Sequence, residues 1–125
     1  MLNAEWWRKM QNNAIVDKSF AFAVRIVKLC KYLRESKKEF ILTKQLMRSG
    51  TSIGANIAEA QLGQSKADFA AKMRIALKES NETKYWLRLL FHTEYLTQEE
   101  YRSIDKDIEE IIRLLTAICK SSISK

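Results

Sequence analysis

The chain has no proline, only three glycines and a single histidine in 125 residues. Without proline, no position loses its backbone donor or has φ locked by a ring, so nothing interrupts long helices. The one histidine, His92, and the two cysteines, Cys30 and Cys119, form no cluster with metal-ligand spacing. No phosphate-binding glycine loop and no nucleophile–base pair is present either. The expectation is a protein that is not an enzyme and holds no metal or cofactor. No apolar run approaches the roughly 18 residues that a membrane helix needs. The segment Trp6-Trp7-Arg8-Lys9 lacks the apolar core and small-residue cleavage site of a secretory signal. A cytoplasmic protein is therefore expected.

The length sets one domain, and the scarcity of chain breakers sets an all-α fold. Residues 1–12 show no clean periodicity and are expected to be an N-terminal extension. Trp6 and Trp7 leave two readings of it open, a frayed tail or an arm docked on a neighbouring subunit. The bundle proper spans 13–125. A first helix is expected over 14–36, with Phe20, Ala23, Val24, Ile26, Val27, Cys30 and Leu33 facing inward and Phe22 and Leu29 widening the arc. That arc exceeds the ~100° stripe a helix on a monomeric bundle needs, which argues for an oligomer. A second helix is expected over 40–60, ended by Gly63 in a left-handed conformation. A third opens at the N-cap Ser65, with Asp68 completing a capping-box pattern, and runs to Thr93. A fourth opens at the T-x-x-E box of Thr97 and Glu100, with Tyr101, Ile104, Ile108, Ile111, Ile112, Leu115, Ile118 and Cys119 as its core stripe. The pairs Lys106–Glu110 and Glu109–Arg113 sit at i,i+4 spacing on that helix. Short connections imply antiparallel neighbours, giving an up-and-down four-helix bundle. In such a bundle Cys30 and Cys119 lie roughly 20 Å apart along the axis, too far for a disulfide. Two buried thiols are expected.

The second helix has three distinct faces. Leu46, Ile53 and Ile57 make a core stripe. Gly50, Gly54 and Ala58 recur every four residues, and each glycine inside a helix costs about 1 kcal/mol relative to alanine. Close approach of a second backbone would offset that cost. Arg48, Ser52, Asn56 and Glu59 form a polar stripe of mixed charge. Together with Trp86 on the third helix, Arg48, Gly50, Ser52, Gly54, Asn56 and Glu59 are the candidate oligomer interface. Glu79 and Glu82 lie one turn apart with no histidine nearby, so they do not read as an acid–base pair.

Net charge is +7, and it is uneven: residues 1–50 carry +7, residues 51–94 carry +1 and residues 95–125 carry −1. A basic excess of this kind suits an anionic partner. Two stripes carry it. Lys18, Arg25 and Lys28 follow one face of the first helix. Arg74, Lys78 and Arg88 follow one face of the third, interleaved with Tyr85 and His92. Each reads either as a solvated face or as a surface that tracks phosphates.

The segment LMRSGTSIGANIAEAQ, Leu46 to Gln61, resembles the signature of the four-helix bundle proteins encoded within intervening sequences of 23S ribosomal RNA genes. IALKESNETKYWLRLL, Ile75 to Leu90, resembles that family's third-helix segment. The likeness spans about residues 16–120. The family is similar to the accessory variability determinant of diversity-generating retroelements, a basic pentameric bundle that binds nucleic acid and a reverse transcriptase. The resemblance thus implies a homopentamer, contact with RNA or DNA, a protein partner such as a reverse transcriptase, and no catalytic residues. Two functions from different classes follow. One is a basic bundle that binds nucleic acid non-specifically through phosphates. The other is an adaptor oligomer that binds a protein and touches no nucleic acid.

Overall fold

The computed structural model describes residues 4–123, less the side chains at 4, 6–8, 11, 122 and 123. Four helices follow in order: α1 (Ala4–Lys37), α2 (Leu42–Ala60), α3 (Lys66–His92) and α4 (Gln98–Ile123). Each packs on its sequence neighbours, and α4 closes the ring against α1. Cross-helix contacts fix the directions. Arg34 reaches Thr43 while Asn12 reaches Gln61, so α1 and α2 run antiparallel. Arg48 meets Glu82 while Glu59 meets Lys72, so α2 and α3 do too. The same opposition holds for Lys18–Glu110 and Arg25–Asp107 between α1 and α4. The bundle is up-and-down, as the sequence indicates.

α1 begins at Ala4, ten residues earlier than periodicity suggests. Residues 4–13 contain neither glycine nor proline, so the helix has no reason to stop. Asn12, within the expected extension, exchanges amide hydrogen bonds with Gln61 at 2.6 and 3.3 Å. The side chains of Trp6 and Trp7, on which the docking-arm reading turns, lie outside the described residues.

The helix ends are built differently from the sequence expectation at three places. Gly63 has no positive φ, and α2 closes through Gln61 in the right-handed region. Gly63 instead allows close approach. A Cβ there would lie 3.2 Å from the Ala60 carbonyl and 3.3 Å from Asp68 Cβ and Phe69 N. The left-handed residues are Lys38 (φ 57°) and Glu94 (φ 71°). Glu94 ends α3 in a Schellman motif: its N–H donates to Phe91 O at 3.1 Å and the Tyr95 N–H donates to Leu90 O at 2.9 Å. α2 starts at Leu42 rather than Phe40, because Glu39 caps it. The buried Glu39 carboxylate accepts from the backbone N–H groups of Ile41, Leu42 and Thr43 at 3.2, 2.9 and 2.8 Å. Two expected caps are present. Ser65 Oγ accepts from the Asp68 N–H at 3.0 Å. Thr97 and Glu100 bond reciprocally at 2.8 and 3.1 Å.

The core is a continuous apolar column that includes Phe22, Ile26, Leu33, Leu46, Ile53, Ile57, Met73, Leu87, Leu90, Ile108, Ile111 and Leu115. α4 buries the stripe its periodicity marks. α1 does not: Ile15, Ser19, Phe22, Ile26, Cys30 and Leu33 point inward, while Phe20, Val24 and Val27 are 70%, 39% and 44% exposed. The expectation that those three face the core is corrected. Apolar residues cover so much of α1 that spacing alone cannot select the buried direction. The two cysteines are free and buried. Burial pushes the Cys30 thiol up to about 11, with Arg34 pulling the other way. Burial also raises the Cys119 thiol, against a weaker pull from Arg74. Among the described residues no buried side-chain polar atom lacks a partner.

Candidate nucleic-acid interface

The two basic stripes have different surroundings. On α1, Lys18 Nζ lies 3.0 Å from Glu110 Oε2. Arg25 donates to Asp107 Oδ2 at 2.5 Å and to Ser103 Oγ at 3.0 Å. Only Lys28 of that stripe makes no ion pair among the described residues. The partners sit on α4, whose excess of carboxylates the register of the bundle brings alongside. Those carboxylates are consequently not spent within α4. Glu109 pairs with Lys84 across helices rather than with Arg113, and Glu110 with Lys18 rather than with Lys106. A carboxylate that reaches a cation on a facing helix has no need of an i,i+4 partner.

On α3 the outward stripe of Arg74, Lys78 and Arg88 makes no ion pair among the described residues. Tyr85 rises from the same face, 55% exposed. A cavity of about 220 Å³ lies there, lined by Tyr85, Arg88, Leu89 and His92. The Trp86 ring makes a T-shaped contact with Tyr85 at a centroid distance of 5.1 Å and an interplanar angle of 74°. The Trp86 indole N–H donates to Glu82 Oε2 at 3.0 Å.

Glu82 also accepts from Arg48 Nη2, and Glu79 accepts from Arg48 Nη1 at 3.2 Å. The hydrogen bonds from Trp86 and then Arg48 hold the Glu82 carboxyl below the usual carboxylate range, with Lys78 adding a Coulombic pull. The Glu82 bond in turn raises the Arg48 guanidinium. Glu79 and Glu82 thus clamp an arginine. Sequence pattern alone does not reveal this clamp, although the i,i+3 spacing of two acids on an edge facing a polar stripe is its visible signal.

The residues read as an oligomer interface all have partners within the chain. Gly50 is buried, and a Cβ on it would lie 2.9 Å from Ile26 Cγ1 and Cγ2. Gly54 faces the Ser19 carbonyl, where a Cβ would sit at 3.4 Å. The close approach inferred from the glycines is therefore that of α1 to α2 in one subunit. Ser52 Oγ donates to Arg48 O at 2.6 Å, and Asn56 donates to Ser52 O at 2.8 Å. Glu59 pairs with Lys72 at 2.5 Å. With Arg48 and Trp86 on Glu82, this stripe is the seam between α2 and α3. It is closed underneath by the buried bond from Thr83 Oγ1 to Ser49 Oγ at 2.9 Å.

No helix among the described residues is long and apolar enough to cross a membrane. None of their His, Cys, Asp and Glu side chains gather in threes that could hold a metal. Comparison with curated proteins returns no match. A crystal structure of a protein of unknown function from the S23 ribosomal protein family of Bacteroides thetaiotaomicron VPI-5482 is similar throughout. Its TM-score is 0.87 and its identity 58%, over 88% of this chain and 98% of that one. The family model described as 23S rRNA-intervening sequence protein matches residues 11–117. With four antiparallel helices, the 46–61 segment and this match in agreement, the chain belongs to the 23S rRNA-intervening sequence protein family.

Proposed function

We propose that the protein is a non-enzymatic, oligomeric, cytoplasmic bundle that binds nucleic acid without sequence specificity, through phosphates. The observation that carries this reading is the α3 face, where Arg74, Lys78 and Arg88 lie in one exposed row with Tyr85 and make no ion pair among the described residues. Phosphate contacts position a protein on a strand but read no sequence. Repeating the stripe once per subunit sums weak contacts into useful avidity.

Assembly is supported by α1. Phe20, Val24 and Val27 lie at i, i+4 and i+7 and are exposed, so they form one apolar row. A second copy covering this row is the proposed contact, with a pentamer as the proposed assembly. The same row supports the second reading, an adaptor that seats a protein partner such as a reverse transcriptase.

Light scattering combined with a salt titration of binding tests both parts. The expected result is a mass several times 14.6 kDa. Affinity should fall linearly on a log–log plot against salt and vary little with sequence. A monomer at micromolar concentration overturns the assembly. Absence of binding near 100 mM salt, where non-specific binders still show Kd values of about 10⁻⁴–10⁻⁶ M, overturns the nucleic-acid reading in favour of the adaptor.

A further inference from the structure

We infer that the α3 surface between Tyr85 and His92 is a seat for one unpaired nucleobase, so that the strand bound is single. The inference rests on the nucleic-acid reading above and narrows it. Tyr85 is a large aromatic ring left 55% exposed, in a row with three cations that make no ion pair among the described residues. The ring is nevertheless held in place. Trp86 supports it edge-on at 5.1 Å, Glu82 anchors Trp86 at 3.0 Å, and Arg48 holds Glu82 from the neighbouring helix. An exposed ring that already packs on a neighbouring indole gives a stacking partner at reduced entropic cost.

The cavity in front of it, about 220 Å³, is smaller than the roughly 300–1,000 Å³ of small-molecule sites. All four lining residues stand on α3, so it is an open depression on one helix against which a planar ring could lie. Its wall chemistry fits a nucleotide unit. Tyr85 and Leu89 offer an aromatic face and an apolar flank, while Arg88 and His92 offer donors at its edge. Along the helix, Arg74 and Lys78 continue the row for about 21 Å from Arg88 at 1.5 Å per residue, which extends over the strand on one side. In a duplex each base is already stacked and paired, and none reaches Tyr85 unless it is extruded. In a single strand every base has a free π-face. The charge of the row selects a polyanion over a protein: Glu82, the carboxylate beside it, is taken up by Arg48 and Trp86.

The test is fluorescence anisotropy with labelled 12-mers of oligo-U RNA and oligo-dT DNA, and with a duplex of the same length. Each is titrated between 50 and 200 mM salt with the full-length protein and with Tyr85→Ala, Tyr85→Phe and Lys78→Glu. Tyr85 is exposed, so the alanine variant should retain the fold, and circular dichroism checks this. Tyr85→Ala should weaken both single strands by about five- to 150-fold, the loss expected for one base–aromatic stack, and leave duplex binding as it was. Tyr85→Phe should bind like wild type. Lys78→Glu should weaken single strand and duplex alike. If Tyr85→Ala changes neither substrate, or both equally, the seat is refuted while phosphate binding stands. If none of the three oligomers binds in a salt-dependent way, the phosphate reading fails, and the seat with it.

Discussion

α1 and α3 each carry three basic residues on one face, and in the sequence the two stripes are equivalent. In the bundle they are not. Lys18 and Arg25 face the carboxylates of α4, while Arg74, Lys78 and Arg88 are exposed and make no ion pair among the described residues. Exposed ion pairs of the α1 kind are worth at most about 1 kcal/mol, so they do not hold the fold together, but their carboxylates offset the positive field of Lys18 and Arg25. The comparison teaches that the charge of the neighbouring helix decides whether a basic stripe is paired or left open. α4 is the one helix of the four that carries more carboxylates than cations, and it lies alongside α1. The outer face of α3 has Glu82 close by, and Arg48 and Trp86 occupy that carboxylate.

Charge reversal on the two stripes should separate them most clearly. Lys78→Glu with Arg88→Glu is expected to abolish salt-dependent binding or to lower its salt slope by about one for each phosphate no longer neutralised. Arg25→Glu should leave binding within twofold, measured by anisotropy, because Arg25 is already committed to Asp107. Equal losses from both would break the comparison. The frame that keeps the stripes apart can be loosened next. Gly50→Ala is expected to destabilise by about 1–3 kcal/mol, since its Cβ would overlap Ile26. Gly54→Ala should be neutral or stabilising by up to about 1 kcal/mol, because its Cβ has room and the helix gains propensity. Thermal melts of the pair would show whether the glycines serve packing in one place or in two.

A smaller effect concerns the loop that follows α3. Glu94→Gly should raise stability by up to about 1 kcal/mol, because glycine adopts φ near 71° without the Cβ clash that glutamate bears. Chemical denaturation would register it, and an unchanged midpoint would mean that the Schellman turn carries no strain. The smallest effect is on pH. Glu82 titrates lower in the folded chain than in the unfolded chain. Its contribution is therefore fully present above the ordinary glutamate value near 4.3, and is lost as pH falls through the lower folded value. Stability measured from pH 6 to pH 3 should fall less steeply in Glu82→Gln than in wild type.

Much of the fold is legible in the chain because local rules decide it. The absence of proline, the T-x-x-E box at Thr97, the Ser65 cap and the apolar period of α4 all reappear in place. Each needs only residues within a few positions of one another. The cap by Glu39 and the left-handed Lys38 and Glu94 were not legible, because non-glycine residues take those roles only where the surrounding helices hold them. Nor was the buried side of α1. Phe20, Val24 and Val27 are as apolar as Phe22 and Ile26, and only packing against α2 and α4 chooses between them. The cations illustrate the same limit at the candidate interface. The sequence by itself determined that two basic stripes exist and that both stand on polar helical faces. Tertiary structure alone decided which stripe is open. Pairing depends on register between helices some 80 residues apart, and no local pattern encodes which carboxylate will come within 4 Å of which cation.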